Sequence, residues 1–136
     1  LFQGQRLFNR TLRENLLIAK PNASEEELVE ALKKAGLLEW FEKLPKGFDT
    51  QIGQTGKLIS GGERSRLSIA RTILFDPEIL LLDEPLVGVD QDRKEEILDT
   101  LKELLKGKTC ILVTHDKSLL RIADRTIYIM KEEDAV

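Results

Sequence analysis

Ile79-Leu80-Leu81-Leu82-Asp83-Glu84-Pro85 is the stretch that decides the fold. A continuous apolar run of strand length reads as a strand buried on both faces, the usual condition of a parallel sheet inside an α/β protein. Two adjacent carboxylates leave its C-terminal end, the edge at which open α/β sheets bind ligands.

The pattern downstream supports that reading. A helix is expected from about Gln91 to Leu105, with Ile97, Leu98, Leu101, Leu104 and Leu105 as its inward stripe and Gly107 as its terminator. Thr109 to Thr114 is a second strand, Ser118 to Ala123 a short helix, and Thr126-Ile127-Tyr128-Ile129-Met130 a third strand. Strands alternating with a helix argue for a buried parallel sheet.

Upstream, the chain reads as mostly helical from Leu7 to about Phe75. Thr11 with Glu14, Ser24 with Glu27 and Ser60 with Glu63 all have capping-box spacing. The first opens a short helix through Ala19. The second opens one with Leu28, Ala31, Leu32 and Ala35 on one face, ended by Gly36. Leu38 to Lys43 makes another turn or two, and Leu44 to Asp49 has the Pro and Gly of a loop. The third box opens a helix with Leu67, Ala70 and Leu74 on its apolar face. The fold class is therefore α/β, a helical part over residues 1–75 followed by a parallel-sheet part over 76–136.

At 136 residues and 41% apolar content, the chain can build one compact domain. Its 21 basic and 24 acidic residues give a net charge of -3, which disfavours bulk nucleic-acid binding. Cys110 sits in an apolar strand and reads as a buried small residue. No apolar run approaches the roughly 20 residues needed to span a bilayer, and no signal peptide is seen, so the chain is expected to be soluble and cytosolic.

Three groups carry candidate chemistry. Side chains leaving a strand in succession point to opposite sides, so Asp83 and Glu84 are suited to separate tasks, one near a Mg2+ ion and the other near an attacking water. Ser60-Gly61-Gly62-Glu63 exposes backbone N–H groups at a helix start, which holds an anion without a charged side chain. His115, the single histidine, follows the second strand and so lands on the edge occupied by Asp83 and Glu84, where an imidazole can hydrogen-bond a terminal phosphate or a water.

In this order and on these elements, the motifs resemble the nucleotide-binding domains of ABC transporters, over nearly the whole chain. Ser60-Gly61-Gly62-Glu63 looks like the family's signature motif, Ile79 to Glu84 like its Walker B strand, Asp90 like the D-loop aspartate and His115 like the switch histidine. Phe8 to Asn15 and Leu44 to Gly53 are similar to segments of exporter-type members. Gln3 has the spacing of the Q-loop glutamine, with Gln5 as the alternative. The chain departs from the pattern at Ile59, at Leu86-Val87 and at Gln54-Thr55.

The resemblance implies a partial P-loop NTPase fold and ATP hydrolysis with Mg2+ in a head-to-tail dimer. Glu84 would polarise the water, and Asp83 would hold Mg2+ through its water shell. His115 would bind the γ-phosphate, Ser60, Gly61, Gly62 and Glu63 would form the nucleotide-binding signature, Gln3 would sense Mg2+ and water, and Asp90 would communicate across the dimer. Implied partners are a half carrying the Walker A loop, a second ATPase domain (identical or not) and a transmembrane domain at the cytoplasmic face of the membrane. No P-loop is present: Gly53-Gln54-Thr55-Gly56-Lys57-Leu58 has the wrong spacing, and Gly107-Lys108-Thr109 has lysine where the first glycine belongs. The chain alone is therefore expected to be inactive, with an incomplete sheet and an uncovered face. Two alternatives stand beside this reading, a non-catalytic interaction fragment that docks on a membrane domain or partner half and a DNA-repair type ATPase; no heptad run precedes Ser60 to favour the latter.

Overall fold

The computed structural model describes residues 7–53 and 59–129. Gln3, Gln5, Gln54-Thr55, Met130 and the charged stretch Lys131 to Asp134 lie outside them.

Reciprocal hydrogen bonds start the three principal helices of the N-terminal part. Thr11 caps α1 (Leu12–Leu17), Ser24 caps α2 (Glu25–Lys34) and Ser60 caps α4 (Gly61–Phe75). In each, the hydroxyl accepts from the N–H three residues on, and the glutamate there accepts from the cap's own N–H at 2.8 to 2.9 Å. Two N–H groups that the helix cannot pair are thereby satisfied. The short α3 (Leu38–Glu42) follows α2, and the Pro-Gly loop closes into a 3-10 turn over Gly47–Asp49.

A two-residue antiparallel pair, β1 (Arg10–Thr11) with β2 (Gln51–Ile52), was not foreseen. Two residues per strand leave no period to detect. Beside it, Asn15 is fully buried and holds the entering chain: its amide nitrogen donates to the carbonyls of Phe8, Arg10 and Thr11 at 3.0, 3.3 and 2.9 Å. Its side-chain oxygen accepts from the Phe8 N–H at 3.0 Å and from Arg71 Nη2 at 2.5 Å. Arg71 on α4 also donates to the Asn15 carbonyl at 2.8 Å, and burial holds the Arg71 guanidinium below its ordinary pKa.

One core joins these helices to the later elements: Leu16, Leu28, Leu32, Leu67, Ile69, Leu82, Ile97 and Leu101 are all buried in a single cluster. The amphipathic stripes read from sequence face it, with Leu104 and Leu105 of α5 (Gln91–Leu105) only half buried. Polar contacts reinforce the seam. Thr100 donates to the Lys34 carbonyl at 2.9 Å, while Arg93 reaches the Gly36 carbonyl at 3.2 Å and Glu39 at 2.7 Å.

The sheet consists of β3 (Ile79–Asp83) and β4 (Thr109–Val113), parallel, with Ile79 opposite Thr109 and Asp83 opposite Val113. The expectation of a strand buried on both faces is corrected here. Leu80 and Leu82 are buried, but Ile79 and Leu81, with Ile111 and Val113 alongside, are more than half exposed, because no element among the described residues covers that side. The uncovered face itself was expected. The third strand is also corrected: residues 126–129 form no ladder, and Ile127, Tyr128 and Ile129 are exposed. A strand persists only through bonds to a neighbour, and none of the described strands offers one to this segment. The short helix after β4 is a 3-10 helix over Lys117–Ile122. Cys110 is half buried, and desolvation raises its thiol pKa. Among the described residues no helix is long and apolar enough to cross a membrane.

Replacing Asn15 by Ala strands the Phe8 N–H, several carbonyls and one arm of Arg71. Stability should fall by about 2–3 kcal/mol, measured by urea unfolding followed through Trp40 fluorescence. A loss below about 0.5 kcal/mol would contradict the role assigned to Asn15.

Candidate functional site

Parallel strands end on the same side, so β3 and β4 deliver Asp83, Glu84, Thr114 and His115 to one edge. Asp83 continues the register of the exposed Ile79 and Leu81, which puts it on the open face. Glu84 departs from the strand. Its φ of 45° is left-handed, a conformation that costs a non-glycine residue roughly 1–2 kcal/mol.

Hydrogen bonds hold Glu84 there. Its N–H donates to the Val113 carbonyl at 2.9 Å and its carbonyl accepts from Val87 N–H at 3.1 Å, which turns the chain away from the sheet. The carboxylate, only 11% exposed, accepts from the His115 N–H at 2.8 Å and from the Thr114 hydroxyl at 3.2 Å. The His115 ring is fully exposed, with Nε2 at 3.7 Å from the same carboxylate. Both Glu84 oxygens are thus aimed by the neighbouring strand, while the imidazole stands in solvent beside them.

Behind this pair runs a chain of bonds into α5. Thr114 Oγ1 accepts from the Asp116 N–H at 2.9 Å, and Asp116 accepts from Lys94 Nζ at 2.8 Å and from both the N–H and the hydroxyl of Ser118 at 2.9 and 2.7 Å. The Lys94 hydrogen bond first, then the two from Ser118, hold the Asp116 carboxyl down at about 2.

The start of α4 is built differently. Ser60 is occupied by its capping box with Glu63, and the space where a side chain on Gly61 would project is open to 4 Å. At Gly62 there is no such room: an added Cβ would lie 2.2 Å from the Gly88 carbonyl oxygen. Gly88 itself has φ +75° and sits in the turn between β3 and α5, which Leu86 and Val89 anchor in the core. Ser65 Oγ donates to the Val87 carbonyl at 2.7 Å, a second tie between helix and turn. Asp90 ends that turn as the N-cap residue of α5, without a side-chain capping bond, its carboxylate 3.7 Å from Arg66 Nη1.

The candidates from sequence therefore fall into two connected groups. Asp83, Glu84 and His115 share the strand edge, whereas Gly61 and Gly62, in the helix start that Ser60 and Glu63 cap, meet the turn that ends at Asp90; Gln3 lies outside the described residues. Sequence reasoning missed Thr114, Gly88 and Arg66. A hydroxyl directly before His115 was a visible signal for the first. The other two become visible only when two backbones approach.

Comparisons with known proteins show which family the chain resembles. The family model described as ABC transporter matches residues 1–87. "P-glycoprotein 14" of Caenorhabditis elegans is 40% identical over 125 residues, 92% of this chain and 9% of that protein. The "ATP-dependent lipid A-core flippase" of Syntrophus aciditrophicus (strain SB) is 40% identical over 127 residues, 93% of this chain and 21% of that protein. Among solved structures, a bacterial Atm1-family ABC exporter with ATP bound superposes with a TM-score of 0.77 at 37% identity, over 90% of this chain and 21% of that one. The chain thus spans about a fifth or less of the length of these relatives.

Two expectations follow from the packing and charges. Gly61→Ala should leave the folded state within about 0.5 kcal/mol of the parent, whereas Gly62→Ala should cost more than about 2 kcal/mol because the Gly88 turn must move; paired unfolding curves decide between them. Because the Asp116 pKa is depressed when folded, its contribution is complete above the unfolded carboxylate pKa near 4 and is lost as pH falls towards about 2. The stability gap between the parent and Asp116→Asn should be constant from about pH 5 to 7 and should shrink below pH 4.

Proposed function

The chain belongs to the ABC transporter family, and we propose that it is the C-terminal portion of an exporter-type ATP-binding subunit that hydrolyses ATP once a Walker A half completes it. The observation that carries this reading is the Glu84 carboxylate, nearly buried and aimed by His115 N–H and Thr114 at the edge where ligands of α/β sheets bind.

Each group has a task consistent with its surroundings. Glu84, fixed by its two donors, accepts or polarises the proton of an attacking water. His115, with its ring free in solvent, reaches towards the γ-phosphate. The amides of Gly61 and Gly62 at the start of a 15-residue helix offer partial positive charge to an anion, and the open space beside Gly61 leaves that end accessible. Asp83, half exposed on the open face, suits a Mg2+ ion that keeps most of its waters, since such an ion usually takes one or two carboxylates together with phosphate oxygens. Bound Mg-ATP would supply the phosphoanhydride bond and the counter-charge to its own phosphates. Gln3 is assigned to sensing the ion and water, and Asp90 to communication across the dimer.

This arrangement needs partners. The signature end of one subunit closes on nucleotide held by the Walker A loop of a second ATPase domain, identical or not, head to tail, and a transmembrane domain on the cytoplasmic face receives the motion. Residues 1–75 form the Q-loop region and helical subdomain in this reading, and 76–136 the catalytic α/β part. For the chain by itself, the face of β3 and β4 that no described element covers favours a second reading, a fragment that docks on the missing half or on a membrane domain without turnover.

Calorimetry of the chain with Mg-ATP should give no heat up to millimolar nucleotide, while the domain completed with a Walker A segment should bind. In the completed domain, Glu84→Gln should keep binding and lose at least roughly 100-fold in turnover. Unchanged turnover would falsify the Glu84 assignment, and micromolar binding by the chain alone would overturn the need for a second half.

A further inference from the structure

Among the described residues, Arg66 is the buried cation at the seam between the start of α4 and the turn before α5, and the functions above leave it without a task. Its side chain is 7% exposed, and Nε and Nη1 have no hydrogen-bond partner among the described residues. The stem passes Gly36, where an added Cβ would meet Arg66 Cδ at 3.6 Å, and the guanidinium lies beneath the close crossing of Gly62 and Gly88, with Nη1 3.5 Å from the Cβ position of Gly62. Among the described residues the carboxylate in ion-pair range is Asp90, at 3.7 Å.

That distance is too long for a hydrogen bond, and a buried guanidinium with idle donors is costly. A shift of roughly 1 Å would bring the pair to the 2.7–2.9 Å of a charge-assisted bond. Among the described residues the neighbouring charged groups are engaged elsewhere. Glu63 is taken by the Ser60 N–H, Arg93 by Gly36 and Glu39, and the Asp90 side chain makes no capping bond of its own.

We infer that Arg66 is a positioning residue: its guanidinium fixes Asp90 and the Gly62–Gly88 crossing as one unit, so that the amides at the start of α4 and the Asp90 carboxylate present themselves together. This rests on the proposed ATPase reading for its consequence in turnover, but not for the contact itself. Lysine does not replace it, because a single ammonium on a flexible stem cannot reach Asp90 and span the crossing with a rigid fork.

Two measurements test this. In the chain alone, Arg66→Lys and the surface change Asp90→Asn should each shift the amide resonances of Gly62 and Gly88, and their effects on unfolding should be non-additive in a double-mutant cycle. In the completed domain, each single variant should lower kcat roughly tenfold with KM changed less than about twofold, and the double variant should be no slower than Arg66→Lys. A purely structural Arg66 would instead lower the unfolding midpoint, leave kcat per folded enzyme unchanged and combine additively with Asp90→Asn; either additivity or parental kcat in Arg66→Lys overturns the proposal. If the completed parent domain itself does not hydrolyse ATP, the ATPase reading fails while the resonance shifts and the cycle still decide the Arg66–Asp90 contact.

Discussion

The backbone at Gly62 passes so near Gly88 that a single methyl group would collide with its carbonyl oxygen. Much of the arrangement depends on that approach. It lets the start of α4 lie directly on the turn that leaves β3, so a helix from the N-terminal part and a strand end from the C-terminal part meet through main chain rather than through side chains. The Ser65 to Val87 bond and the buried Arg66 lie on either side of it. Only glycine permits such a contact at Gly62, and only a residue at ease with positive φ suits the partner position.

Glu84 shows a related economy of structure. A left-handed glutamate at a strand end is unfavourable locally, and it persists because its N–H, its carbonyl and both carboxylate oxygens are bonded. The aiming does not stop at Thr114. Through Asp116 and Lys94 it is anchored on α5, the helix whose other side grips the end of α2, so the orientation of one carboxylate is set by packing far from the edge where it works.

Much of this was legible in the residues. Capping boxes are local, three-residue signals, and all three of Thr11, Ser24 and Ser60 start helices where their spacing implies. The strand Ile79 to Asp83, the helix Gln91 to Leu105 and the shared edge of Glu84 and His115 follow from period and order. What escaped depends on distant partners. The two-residue pairing of Arg10 with Ile52 carries no periodicity, the Asn15 hub and the Arg66 contact need segments more than 20 residues apart to meet, and the Thr126 segment has the composition of a strand but no neighbour among the described residues with which to be one. The reading of Ile79 to Leu82 as doubly buried failed for the same reason: an apolar run reports what a strand prefers, not what covers it.

That bare face has a thermal consequence. Ile79, Leu81, Ile111 and Val113 are more than half exposed, and covering such apolar surface brings a negative change in heat capacity. Whatever surface comes to lie on β3 and β4 will therefore be held chiefly by entropy near room temperature, and that hold will loosen on cooling. An assembly closed across this sheet has cold as well as heat among the conditions that loosen it.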